Sequence, residues 1–214
     1  MFPMEAPEAI MMAKVYVPFY SRYGNVETMA KAVGEGIVEA GGEAILAFVG
    51  DTITPMSVIE AEERWLATHT RCNAEYPLAT VEALREVDGI AFGCPTRFGN
   101  MAAQMRMYFD RMAALWMDGS LIGKPGGVFT STASLHGGQE TTIVASWFPM
   151  IHLGMILVGV PYSEEALLTT KTGGSAYGPG HVAGAMGDIA PDETELKICR
   201  TFGKRLAEVA EKLR

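Results

Sequence analysis

The chain has 214 residues, of which 49% are hydrophobic, which is enough for one domain with a sizeable core. Charged residues make up 20% and the net charge is −8, which argues against disorder and against an electrostatic nucleic-acid binder. Cys72, Cys94 and Cys199 are widely separated and form neither a Cys-x-x-Cys pair nor a metal-ligand cluster, a pattern that fits a reducing, cytoplasmic setting.

Residues 1–13 read as an N-terminal extension, either disordered or preceding an internal start at Met11-Met12. Met1 to Ile10 carries two Glu, two Pro and no basic residue, unlike a signal peptide. The domain is expected over residues 14–214. Lys14 to Tyr20 is a short apolar run and reads as strand one. Glu27 to Ala40 has helical spacing at Met29, Ala30, Val33, Ile37 and Val38, and Gly41-Gly42 stops it. Glu43 to Val49 reads as strand two. Asp51 to Ala79 is charged and irregular, with a short helix around Val58 to Ala67, and Thr80 to Arg85 reads as a capped helical turn.

Gly89 to Cys94 is strand three and Met101 to Met117 a helix. Gly126 to Thr130 is strand four, followed by a helix over Glu140 to Leu153 that contains Pro149. Met155 to Val160 is strand five. Tyr162 to Asp188 is rich in Gly, Ser and Thr without a clear period, and Asp192 caps a last helix through Leu213. The most apolar stretch, Trp147 to Pro161, is too short to span a bilayer, so no stable membrane insertion is expected. This alternation predicts an α/β fold: a doubly wound, five-stranded parallel sheet of order 2-1-3-4-5 with helices on both faces. In such sheets a ligand sits where the order reverses, between strands one and three.

Two loops fall at those strand ends. Ser21-Arg22-Tyr23-Gly24-Asn25-Val26 opens a helix, where unsatisfied N–H groups and the positive dipole end favour a phosphate. Taken alone it also reads as an ordinary capped turn. Pro95-Thr96-Arg97-Phe98-Gly99-Asn100 combines a cation, an aromatic ring and bare amides, the parts that grip a flat ring with polar edges. Alternatively, Phe98 is core and Arg97 a surface cation. Together the two loops point to a flavin nucleotide, with phosphate in the first and isoalloxazine in the second. A third loop, Ser131-Thr132-Ala133-Ser134-Leu135-His136, offers hydroxyls and amides to the pyrimidine edge of a flavin, or is a Ser/Thr/Gly turn closed by Glu140. Trp116 reads as a stacking surface or as a core or interface anchor. His136 and His152 read as structural histidines or flavin-edge donors. Gly119 to Pro125 has the wrong spacing for a phosphate-binding P-loop, and no G-x-G-x-x-G follows a strand.

These residues, in this order, resemble the WrbA-type NAD(P)H:quinone oxidoreductases of the flavodoxin-like superfamily. The matching elements are Tyr20-Ser21-x-Tyr23-Gly24, Pro95-Thr96-Arg97-Phe98-Gly99-Asn100-Met101, Gln104-Met105-Arg106, Gly138-Gln139-Glu140 and Tyr177-Gly178. The resemblance covers the chain from about Lys14 onward. It implies FMN held non-covalently by Ser21, Arg22, Tyr23, Gly24, Asn25 and Val26, by Pro95, Thr96, Arg97, Phe98 and Gly99, and by Ser131, Thr132, Ala133, Ser134, Leu135 and His136. It implies hydride transfer from NAD(P)H to FMN and two-electron reduction of a quinone; since both substrates must lie against the exposed flavin face, ping-pong turnover is expected, with no general base and no metal. It places Tyr23 and Trp116 near nicotinamide or quinone, and brings His152 to the flavin from a neighbouring subunit of a homotetramer. Asn25 stands where many members have His, and the third loop is one residue longer than usual. The competing classes are a flavodoxin-type electron carrier and a regulatory flavoprotein binding module.

Overall fold

The computed structural model describes residues 12–214, so the expectation for residues 1–11 lies outside the described residues. The elements are β1 (Lys14–Phe19), α1 (Asn25–Glu39), β2 (Glu43–Phe48), α2 (Met56–Glu60), α3 (Glu63–Glu75), a 3-10 turn (Glu82–Arg85), β3 (Gly89–Arg97), β4 (Asn100–Met101), α4 (Ala103–Asp110), α5 (Ala113–Asp118), β5 (Pro125–Thr132), α6 (Gln139–His152), β6 (Ile156–Leu157), α7 (Ala166–Thr169), β7 (Gly180–Val182) and α8 (Glu193–Leu213). The main sheet runs β2-β1-β3-β5-β6, all parallel. This is the expected 2-1-3-4-5 order of five principal strands.

Alternation along the strands sorts side chains to two faces. Val15, Val17 and Phe19 of β1 pack with Met29 and Val33 of α1 and Phe202 of α8. Tyr16 of β1, Ile90 and Phe92 of β3, and Val128 of β5 pack with Met105 and Phe109 of α4 and Ile143 of α6. Helix α1 crosses α8 at two glycines. A Cβ at Gly36 would meet the Arg200 carbonyl oxygen at 1.9 Å, and one at Gly203 the Val33 oxygen at 2.0 Å. Asp192 and Glu195 form a reciprocal capping box at the start of α8, as Asp192 promised.

Four expectations need correction. Strand three does not end at Cys94: β3 continues to Arg97 and folds back on β4 as a hairpin. The single helix over Met101 to Met117 is two helices. Met112 N–H donates to the Phe109 carbonyl in a tighter turn, and this aims both Met112 and Leu115 into the core. The short helix around Val58 to Ala67 is also two: the Glu62 carboxylate caps Arg64 and Trp65 N–H and starts α3, which runs to Glu75. Strand five is split. β6 pairs with Pro125 and Gly126 at the start of β5, the chain departs, and β7 returns to pair with Thr130 to Thr132 at its end. Pro149 leaves α6 unbroken.

Candidate active site

The β1–α1 loop, the β3–β4 hairpin and the end of β5 converge on a hollow of about 260 Å³ at the reversal of strand order. Ser21 is 2% exposed, and its Oγ accepts from the Gly24 N–H at 3.1 Å. Gly24 holds φ +94° at the start of α1, and no side chain caps that helix. Its first-turn N–H groups therefore form an anion-binding end. The Arg22 guanidinium lies over Trp65 at 3.9 Å and over Tyr23 at 4.9 Å. Its Nε is buried and has no hydrogen-bond partner among the described residues, a donor that lacks its acceptor. A phosphate fits this donor set.

The hairpin turn is built from Phe98 at φ +52° and Gly99 at φ +74°, with Arg97 opposite Asn100. Both central residues are left-handed, the geometry that closes a two-residue hairpin. For a bulky aromatic this backbone is strained, and the Phe98 ring is fully exposed. The lining of the hollow ends at Arg97, and the Phe98 ring stands over an adjoining hollow that Arg22 and Arg97 also line. Thr96 Oγ1 and Thr142 Oγ1, 2.6 Å apart, tie the hairpin to α6. Asparagine tolerates the left-handed region. Phe98→Asn is expected to stabilise the ligand-free protein by about 1 kcal/mol while weakening FMN binding; thermal unfolding with and without FMN checks both halves.

Ser131, Thr132 and Ala133 line the hollow. Ser134, Leu135 and His136 are exposed and do not line it. Thr132 Oγ1 donates to the Ser134 carbonyl at 2.8 Å, which turns the chain outward there. The fourth wall, Ala183 to Gly187, was not foreseen from the sequence. Arg64 donates to the Met186 and Gly187 carbonyls at 3.1 and 2.7 Å, and Asn25 Nδ2 to Gly187 at 3.1 Å. The one available signal was the Gly184 and Gly187 pair after a short β run.

Beneath this wall the buried His181 Nδ1 lies 2.8 Å from Glu195, whose carboxylate also accepts from Gly173, Val182 and Asp192 N–H. Asp51 accepts from the Tyr20 hydroxyl, Thr54 and Gln104. Burial works against its charge, but these hydrogen bonds outweigh it and hold the carboxyl below its ordinary range. Burial pushes the Tyr20 hydroxyl up, with Asp51 adding to it. Trp116 and His152 stand elsewhere: with Phe109, Met112 and Phe148 they line a second hollow of about 500 Å³. The three cysteines are buried free thiols, and burial raises Cys72 and Cys94 to about 12. Among the described residues no group of three His, Cys, Asp or Glu is placed to hold a metal, and no helix is long and apolar enough to cross a membrane.

The family model of NADPH-dependent FMN reductase matches residues 21–165, the stretch that carries the first three loops. The chain belongs to this family. A NAD(P)H dehydrogenase (quinone) of Trichlorobacter lovleyi is 48% identical over 206 residues, covering 94% of this chain and 99% of its own. One of the same description from Aromatoleum aromaticum is 44% identical, covering 94% and 97%. Among solved structures, a WrbA-like flavodoxin protein of Agrobacterium tumefaciens superposes with a TM-score of 0.63 at 24% identity, over 94% of this chain and 99% of that one. Flavodoxin 1 of Bacillus cereus superposes with a TM-score of 0.58 at 18% identity, over 92% and 98%. These superpositions confirm the flavodoxin-like fold.

Proposed function

We propose that the chain is an FMN-dependent NAD(P)H:quinone oxidoreductase that reduces quinones to hydroquinones by two electrons. The observation that carries this reading is the crevice at the strand-order reversal. It joins an uncapped helix start and an unpartnered buried Arg22 Nε, and the strained, exposed Phe98 lines the hollow beside it. The relatives at 44–48% identity support the enzyme over a simple electron carrier. Ser21 to Val26 would hold the phosphate, Pro95 to Gly99 and Ser131 to Ala133 the ring. FMN, when bound, supplies the hydride chemistry. The chain's part is to bind, orient and exclude water. Tyr23 packs against Gly187 at the mouth and would meet the nicotinamide or quinone. One open hollow serves both substrates in turn, so ping-pong kinetics are expected. Purified protein should turn yellow on FMN addition and oxidise NADH or NADPH with benzoquinone. A protein that binds no FMN by calorimetry overturns the proposal.

The second hollow has its own role in this reading. Trp116, Met117, Phe148, Ile151 and Ile122 are exposed large hydrophobics on α5, α6 and the turn after α5. Apolar surface of this extent marks a contact face. Its proposed occupant is another copy of the chain, in the homotetramer that the resemblance implies, with Trp116 and His152 acting across the contact. Activity is then linked to assembly by mass action. Turnover is expected to fall on dilution in step with sedimentation-resolved dissociation. Trp116→Ala should lower quinone turnover more than FMN affinity, because it removes a stacking surface and no flavin hydrogen bond. A fully active, FMN-loaded monomer would rule out the shared site.

A further inference from the structure

Helix α3 lies across the β1–α1 loop. Trp65, Thr68 and Cys72 form its buried stripe, at the spacing of one helix face. Trp65 carries the Arg22 guanidinium, and a Cβ at Gly24 would meet Arg71 Nη2 at 3.4 Å and Thr68 Oγ1 at 3.8 Å. Arg71 also donates to the buried Glu27 carboxylate of α1, at 2.6 Å. The helix is thus fixed to the loop that the oxidoreductase reading gives to the FMN phosphate. From this base Arg64 reaches across to the fourth wall. Its guanidinium stands 4.9 Å from the Tyr23 ring centroid and donates to the Met186 and Gly187 carbonyls, at 3.1 and 2.7 Å. Arg64 itself is not part of the lining of the first hollow.

The segment that Arg64 grips is a strap with a closed base. Ala183 N–H donates to the Thr132 carbonyl at 2.7 Å, and Ile189 N–H to the Ala183 carbonyl at 2.9 Å. The tip runs between Gly184 at φ +77° and Gly187 at φ +67°, two residues that turn freely, and Met186 on it is exposed. Arg64 ties this tip to the far side of the hollow, together with the Asn25 amide and the Tyr23 ring against Gly187. An exposed tip between two glycines opens at low free energy unless it is tethered. We infer that Arg64 is the latch of the cofactor site: a positioning residue that closes the strap on the β1–α1 loop and sets how slowly FMN leaves. The inference rests on the placement of FMN in the first hollow. A flavin that serves both halves of a ping-pong cycle has to outlast each turnover, and the latch gives it that residence.

The test follows flavin fluorescence on the full chain. Mixing flavin-free protein with FMN reads the binding rate, and dilution of the loaded protein reads the release rate. The variants are Arg64→Gln and Arg64→Lys. Glutamine removes both charge and fork, whereas lysine keeps the charge but has no planar fork to bridge two carbonyls. Both are expected to release FMN about tenfold faster, the loss of one charge-assisted hydrogen bond. The binding rate should stay within about twofold of wild type, since such changes act mainly on release. Riboflavin release should quicken by the same factor, because the strap confines the whole flavin. In flavin-free Arg64→Gln, amide exchange should quicken at Gly187, whose N–H donates to the Gly184 carbonyl at 3.0 Å, and stay as in wild type in β1 and β5. An effect confined to FMN makes Arg64 a phosphate ligand and overturns the latch. Wild-type release from Arg64→Lys reduces its role to charge, and exchange that quickens across the sheet reduces it to general stability; either overturns the latch. Wild-type protein that binds neither flavin overturns the placement of FMN and the latch with it.

Discussion

Ser21→Asp is expected to lower FMN affinity by about a hundredfold, about 2.8 kcal/mol. Ser21 is buried at the start of the α1 loop, and its Oγ already accepts from the Gly24 N–H. An aspartate oxygen can accept the same bond, so the loop keeps its shape and the change reports charge. The new carboxylate stands against the phosphate in a half-dry pocket, where like charges repel strongly. It also offers the lone Arg22 Nε an internal partner, which removes a donor from the phosphate. Calorimetric titration with FMN and with riboflavin separates the two effects. Riboflavin carries no phosphate, so its affinity should be similar in wild type and variant. Unchanged FMN affinity would place the phosphate elsewhere.

The order of the sheet was legible because strand and helix periods alternate cleanly from Lys14 to Val160, and a parallel sheet follows from that alternation. The β1–α1 loop was legible for the same reason: strand end, Gly24 and helix start adjoin in sequence. Three features were not. The hairpin at Phe98-Gly99 hides because phenylalanine carries no turn signal, so its left-handed backbone follows from closing the two-residue hairpin rather than from propensity. The split of the fifth strand hides because β7 is three residues long and exists only by pairing with Thr130 to Thr132. Its flanks, rich in Gly, Ser and Thr, read as structureless. The fourth wall, Ala183 to Gly187, follows directly from that short strand, and so was lost with it. Arg64 and Asp51 were equally silent, since each acts through partners far away in the chain: Gly187 lies 123 residues from Arg64, and Gln104 lies 53 from Asp51.

Glu195→Ala is expected to destabilise the protein by about 3–5 kcal/mol, because several buried donors lose their acceptor together, each at about 1–3 kcal/mol. Glu195 is 2% exposed and serves four groups at once. It faces His181 Nδ1 at 2.8 Å and accepts from Gly173, Val182 and Asp192 N–H. Alanine leaves all four without that acceptor in a dry site, where an unmet donor keeps its full desolvation cost. The effect should reach the cofactor site. His181 also holds the Ile189 carbonyl at 3.0 Å, so the pair pins both ends of the Ala183 to Gly187 wall. Loosening that wall should lower FMN affinity in the fraction that remains folded. The pH dependence supplies a further check. Burial disfavours the Glu195 charge, but His181 and the backbone N–H groups outweigh it and bring the carboxyl below its ordinary value. The unfolded chain therefore takes up this proton at a higher pH than the native state. The carboxylate's contribution is whole above the ordinary glutamate value of about 4.3 and is lost as pH falls through the native one. Urea unfolding of wild type and Glu195→Ala from pH 7 down into the acid range should therefore show the two stabilities converging as pH falls. A gap that stays constant or widens toward low pH would show that Glu195 is not held ionised by this network.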